Sequence, residues 1–136
     1  MGEYAPFLAT GDYRFEKRGI SKNQLENNIT VFNTHISEIE PINENQVECI
    51  NTYMKPHLND IYNRVIFAGD FNFFPDKNNN REIKNMQEVL SDPTYENEEF
   101  ISRPDRIYYK GLVLKEVKVL KDNLSDHHGL MAEFYN

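Results

Sequence analysis

A mixed α/β fold follows from three features of the sequence. Short apolar stretches of strand length, rich in Val, Ile, Phe and Tyr, recur over residues 29–36, 65–68, 105–110, 112–120 and 130–135. Between the first two, Val47, Ile50, Tyr53, Met54, Leu58 and Ile61 recur at helical spacing. The resulting strand–helix–strand order predicts a crossover covering one face of a sheet. The centre is residues 65–75, where an apolar run, Val65 to Ala68, leads into Gly69-Asp70-Phe71-Asn72. Gly69 is expected to end the strand. Asp70 and Asn72, two apart in an extended chain, should then leave one face at the strand end while Phe71 turns into the interior. α/β proteins commonly keep their chemistry at such ends. The alternative is a polar turn capping a buried strand.

The elements follow in order. Residues 1–12 read as irregular, and 13–20 as a strand with Tyr13, Phe15 and Lys17 opposite Arg14, Glu16 and Arg18. Gly19 and the polar segment 21–28 form the turn to an antiparallel partner, 29–36, whose far end delivers His35. A lone strand-end histidine also has a structural reading. Residues 41–45 break the chain, and a helix follows with Asn45 as N-cap and Glu48 completing a capping box. Cys49 and His57 lie within it and read as structural. After the central strand, 76–80 is a polar loop and 81–90 a short helix with Ile83, Met86, Val89 and Leu90 as its stripe. Residues 91–99 are loop, their acids a solvated surface. Strands are expected at 105–110 after Arg103-Pro104, at 112–120 after the Gly111 turn, and at 130–135 after Ser125-Asp126-His127-His128-Gly129.

Composition narrows the class. The chain has 136 residues, enough for one domain, with 27% charged and 39% hydrophobic residues, as in globular proteins. It shows no apolar run of membrane-spanning length, no signal peptide and no myristoylation site. Its single cysteine excludes an internal disulfide and argues against a thiolate metal cluster, so an intracellular location, cytoplasm or nucleus, is the default. The net charge of −7 argues against an indiscriminate polyphosphate binder, although a divalent ion can supply local positive charge at a site. A monomer is expected.

Thr34-His35, Gly69-Asp70-Phe71-Asn72, Asp105-Arg106-Ile107 and Ser125-Asp126-His127 each fall at a strand end. In this order and at these intervals they resemble the endonuclease/exonuclease/phosphatase superfamily, from about Arg18-Gly19 to Phe134. The resemblance implies a deoxyribonuclease-like two-sheet β-sandwich flanked by helices, with Mg²⁺, or Mn²⁺ as alternative, and an activated water cleaving a phosphate ester. It implies that Asp70 activates or orients the water and takes part in the metal site, that Asn72 fixes the nucleophile or a phosphate oxygen, and that Asp126 is the carboxylate beside the metal. His127 resembles the histidine on the scissile phosphate, Asp105 the acid orienting it, and His35 a second donor to the phosphate. His128 has no counterpart.

The family's complete members begin with strands carrying an Asn and a metal-binding Glu, and nothing before Gly19 matches them. The chain is therefore expected to be the C-terminal portion of such a domain, incomplete at its N-terminus, and residues 1–136 by themselves to bind metal weakly or be inactive. Half a sandwich would expose apolar faces meant for partner strands. The runs at 105–109 and 125–130 are similar to the tyrosyl-DNA phosphodiesterase branch, which points to nucleic acid or a nucleic-acid adduct as substrate. A phosphomonoesterase on an inositol phosphate or similar small molecule, and a truncated module without turnover, are the alternatives. Phe73 and Phe74 could stack on a base or pack at the rim. Arg14, Arg18, Lys22 and Arg103 could meet phosphates or stay solvated.

Overall fold

The structure is a computed structural model that describes residues 2–7, 18–73, 81–122 and 124–136. Its centre is a six-stranded sheet in the order β1-β2-β3-β4-β8-β5, formed by β1 (Glu3–Pro6), β2 (Gly19–Gln24), β3 (Ile29–His35), β4 (Arg64–Asp70), β8 (Asp105–Lys110) and β5 (Gln87–Glu88). Two small sheets accompany it, β6 (Tyr95–Glu96) with β7 (Ile101–Ser102), and β9 (Leu114–Leu120) with β10 (Gly129–Phe134). The element pattern agrees with the expected mixed α/β class.

β3 and β4 are the parallel pair, joined by the crossover helix α1 (Glu40–Leu58). β3 alternates as a half-buried strand should: Phe32 and Thr34 are buried, Asn33 and His35 exposed. The buried set lies on the face covered by α1, where Val47, Ile50, Met54 and Leu58 meet Phe32, Val65 and Phe67. Phe32 meets Tyr53 edge-on, with ring centroids 6.1 Å apart, and His57 at 5.0 Å. His57 is thus a packing residue, as expected, and burial lowers its imidazole below the ordinary value, with the Lys22 charge adding to the shift. Cys49 packs half-buried at the edge of the same core, and burial raises its thiol.

Several expectations need correction. Residues 21–24, read as a turn, are strand: β2 is paired on both sides, to β1 and to β3, so neighbours override the polar character of Ser-Lys-Asn-Gln. The turn lies after it, where Asn27 and Asn28 adopt φ of 64° and 59°, a conformation asparagine tolerates. The strand antiparallel to β3 is thus Gly19–Gln24, not the 13–20 expected. Of the strand placed at 13–20, residues 13–17 fall outside the described residues, as do Phe74 and the loop 76–80.

The helix starts earlier than its sequence suggests. Pro41 sits in the first turn, where its missing N–H is no loss, and Asn45 is inside the helix, so no capping box forms. Ile61 lies beyond the helix and is 77% exposed.

Residues 81–90 form no helix. Asn85 takes φ 62°, and Asn51 of α1 holds the segment by donating to Glu82 O and accepting from Lys84 N. The chain then joins the sheet edge as β5, with Val89 N donating to Ile107 O. Ile83 and Val89 are buried as their spacing suggested, but on opposite sides of a turn, and Leu90 is exposed.

Gly69 does not end the strand. It continues β4 opposite Thr34, and a Cβ there would lie 2.0 Å from Thr34 O. Glycine is required because the two backbones close together at this point. No helix among the described residues is long and apolar enough to cross a membrane.

Candidate active site

Strand pairing builds the site. In the parallel β3/β4 register His35 is the Cα partner of Asp70, and in the antiparallel β4/β8 register Asp70 is the partner of Asp105. Three polar residues from distant parts of the chain therefore stand in one row across three neighbouring strands. Phe71, fully buried beneath the row, packs on Phe67 and Tyr108, and its N–H donates to Pro104 O.

Extended geometry stops at Asp70. Asn72 has φ 48°, and its N–H donates to Asp70 Oδ1 at 2.9 Å. This Asx-type turn, rather than a period of two, brings Asp70 and Asn72 together. The Asn72 amide is fixed by donation to Ile36 O at 2.7 Å, across to the end of β3.

His127 arrives from the loop before β10. Its Nδ1–H donates to Asp105 Oδ2 at 2.7 Å, since an ionised carboxylate only accepts. The other ring nitrogen, Nε2, lies 3.9 Å from Asp70 Oδ2, and His35 Nε2 lies 3.4 Å from the same oxygen. Arg18 donates to the backbone oxygen of His35 at 3.2 Å. A cavity of about 410 Å³ opens beside the row, lined by His35, Asp70, Asp105, His128 and Leu130 among others.

The electrostatics follow from this packing. Burial raises the Asp70 carboxyl above its ordinary value; Asp105 adds to the rise, while the Asn72 N–H and the two histidines oppose it. For His127, burial lowers the ring, but the hydrogen bond and charge of Asp105, with Asp70 and Asp126, outweigh it and the net shift is upward. A raised carboxylate is the stronger base, and a raised imidazole stays cationic to higher pH, where it can attract an anion.

Of the six residues singled out in the sequence, His35, Asp70, Asn72, Asp105 and His127 come together. Asp126 lies on the loop next to His127, exposed, with Ser125 Oγ donating to it at 3.3 Å. His128 turns toward Glu96, 3.6 Å away, and its N–H donates to Thr94 O.

A metal could be held by Asp70, Asp105 and His127, whose ligand atoms all lie within 4.8 Å of one another. The donor set fits a hard divalent cation in kind, because two carboxylates stand side by side and a dication would relieve their repulsion.

Two contributors escaped the sequence reading. Thr94, fully buried, donates to Asp105 Oδ2 at 2.7 Å. Asn43, in the supposed chain break, donates from one amide to Ser37 O and Phe71 O, tying together the ends of β3 and β4. No local signal marks either; only tertiary structure brings them in.

This architecture is the endonuclease/exonuclease/phosphatase fold, a two-sheet sandwich. TDP2 of D. rerio complexed with single strand DNA product matches all of this chain and 67% of its own, with TM-score 0.75 and 14% identity. An endonuclease/exonuclease/phosphatase of Beutenbergia cavernae matches 98% of this chain and 44% of its own, with TM-score 0.70 and 17% identity. The inositol polyphosphate 5-phosphatase domain of SPsynaptojanin, in complex with inositol (1,4)-bisphosphate and calcium ion, matches 98% and 53%, with TM-score 0.71 and 14% identity. In sequence the chain is similar to two UPF0294 proteins. That of Vibrio parahaemolyticus is 32% identical over 96 residues, 65% of this chain and 32% of the relative; that of Vibrio campbellii is 30% identical over 125 residues, 84% and 43%. The chain thus spans less than half the length of these relatives. No protein-family model matches it.

Proposed function

We propose that the chain carries the catalytic residues of a Mg²⁺-dependent phosphodiesterase acting on nucleic acid or a nucleic-acid adduct. The observation that supports this most is the row His35–Asp70–Asp105 with His127 bonded to Asp105 at 2.7 Å. On this reading a base, a donor and an orienting carboxylate act together at one site. Asp70, kept basic by burial, takes the proton of the attacking water. Asn72, its amide anchored on Ile36 O, orients that water or a phosphate oxygen. His127, with Nδ1 committed to Asp105, presents Nε2 to the scissile phosphate, and His35 donates from the other side. Asp70, with Asp126 from the adjoining loop, would hold the ion, and Asp105 would take part only through Oδ1, because its Oδ2 already accepts two hydrogen bonds. A Mg²⁺ held there would supply positive charge to offset that of the phosphate.

A phosphomonoesterase on an inositol phosphate or similar small molecule is the second reading, favoured by the likeness to the inositol polyphosphate 5-phosphatase domain. The test is turnover on a DNA duplex, single-stranded DNA, a 5′-tyrosyl DNA adduct and inositol polyphosphates, with Mg²⁺ and with chelator. Preference for a nucleic-acid substrate is expected. Turnover confined to inositol phosphates would favour the second reading, and a protein long enough to include the relatives' remaining length that turns over none of these would overturn both.

A further inference from the structure

We propose that Thr94 is a positioning residue that commits Asp105 to His127. The inference rests on the phosphoesterase reading for its kinetic consequence, and on geometry alone for the rest.

Asp105 stands opposite Asp70 in the β4/β8 pairing, and like charges directly opposite repel. A carboxylate in that place tends to rotate away from its neighbour, and with it would go the partner of His127. Thr94 opposes this. Its hydroxyl donates to Asp105 Oδ2 at 2.7 Å, the same oxygen that receives His127 Nδ1–H at 2.7 Å. Asp105 N lies 3.4 Å from the same hydroxyl, so one side chain braces the residue at both its carboxylate and its backbone.

Thr94 is itself immobilised. It is fully buried, its N–H donates to Ser102 O at 3.1 Å, and its O accepts from His128 N at 2.7 Å. Through that last bond it also holds the loop that carries His127. Tyr95, the next residue, bridges His127 in the backbone and meets its ring edge-on, with centroids 5.2 Å apart. Thr94 thus fixes both members of the Asp105–His127 pair to one rigid point. A buried hydroxyl needs only some acceptor, and any backbone carbonyl would serve. This one is spent on the carboxylate that orients the imidazole, and two donors on one oxygen leave that oxygen unsuited to a cation.

Thr94→Val removes the donor and keeps the shape; Thr94→Ser keeps the donor. Where Thr94→Val does not fold, Thr94→Cys serves instead, since a thiol keeps the volume and is a weak donor. The first readout is ¹⁵N NMR of the His127 ring in metal-free protein, at a pH where the ring is neutral. The wild type and Thr94→Ser should hold the proton on Nδ1, and Thr94→Val should show a mixture of tautomers. The second readout is hydrolysis of bis-p-nitrophenyl phosphate with Mg²⁺. There kcat should fall about tenfold in Thr94→Val with KM within about twofold, the scale of losing a supporting hydrogen bond, and recover in Thr94→Ser. An unchanged Nδ1–H tautomer in a folded Thr94→Val, or an equal kcat, overturns the proposal. Absent turnover in a wild-type protein long enough to include the relatives' remaining length, together with the expected tautomer change, counts against the phosphoesterase reading and supports Thr94's positioning role.

Discussion

Replacing Gly69 by alanine should damage the fold and the site together. The added Cβ would sit 2.0 Å from Thr34 O and 2.9 Å from Thr34 C, both backbone atoms of the neighbouring strand. No side chain can swing aside there, so β3 and β4 must separate locally. Overpacking of this kind costs about 2 kcal/mol. Losing two ladder hydrogen bonds beside it adds about 1 kcal/mol each. A destabilisation of about 3–4 kcal/mol lowers Tm by about 10–15 °C in a domain of this size. Differential scanning calorimetry, with urea unfolding as a second measure, reads the change directly. Because Asp70 follows at once and is the partner of His35, Gly69→Ala should also reduce any turnover that survives. A Tm within about 2 °C of wild type would refute the argument, since it would mean that the strands do not approach as described.

Three further outcomes are expected. His127→Ala and Asp70→Asn should each lower turnover at least about a hundredfold in a phosphodiester assay, with circular dichroism unchanged because Asp70 ends β4 and His127 lies on the loop before β10. In metal-free protein the His127 ring should titrate above the ordinary imidazole value, and Asp105→Asn should bring it down by removing the bonded carboxylate; NMR titration checks both. The sign follows from the raised value: the stability this pair contributes is full below the unfolded imidazole's range and is lost as pH rises through the folded one. Calorimetric titration of residues 1–136 with Mg²⁺ should show weak binding, because the proposed site offers few carboxylate oxygens and Mg²⁺ dehydrates reluctantly. Tight binding would show that a further residue completes the sphere.

Alternation and helical spacing were enough to read β3, β4, β8, β9, β10 and the body of α1: β3, β4, β8 and α1 send residues into the core, while β9 and β10 alternate between half-buried and exposed positions. The site was legible to the same extent: His35, Asp70, Asn72, Asp105 and His127 mark strand ends, and strand ends meet. Segment 81–90 misled because Ile83, Met86 and Val89 satisfy a helical stripe and also a turn leading into an edge strand. Local spacing does not distinguish the two. β2 was hidden for the opposite reason, a polar sequence made into strand by partners on both sides. Thr94 lay among acids that do face solvent, and its hydroxyl bonds Asp105, eleven residues away.

The row of Cα partners linking His35, Asp70 and Asp105 has a kinetic consequence. A slip of one residue in either pairing would turn that strand's side chains to the opposite face. Misregistered chains formed during refolding would therefore be catalytically silent, even where their cores had collapsed. The row also lies on the inner strands of the sheet, where amide hydrogens exchange only through the largest openings. Activity lost in denaturant should then track exchange of the β4 amides, without an earlier phase in which the site melts while the sheet persists.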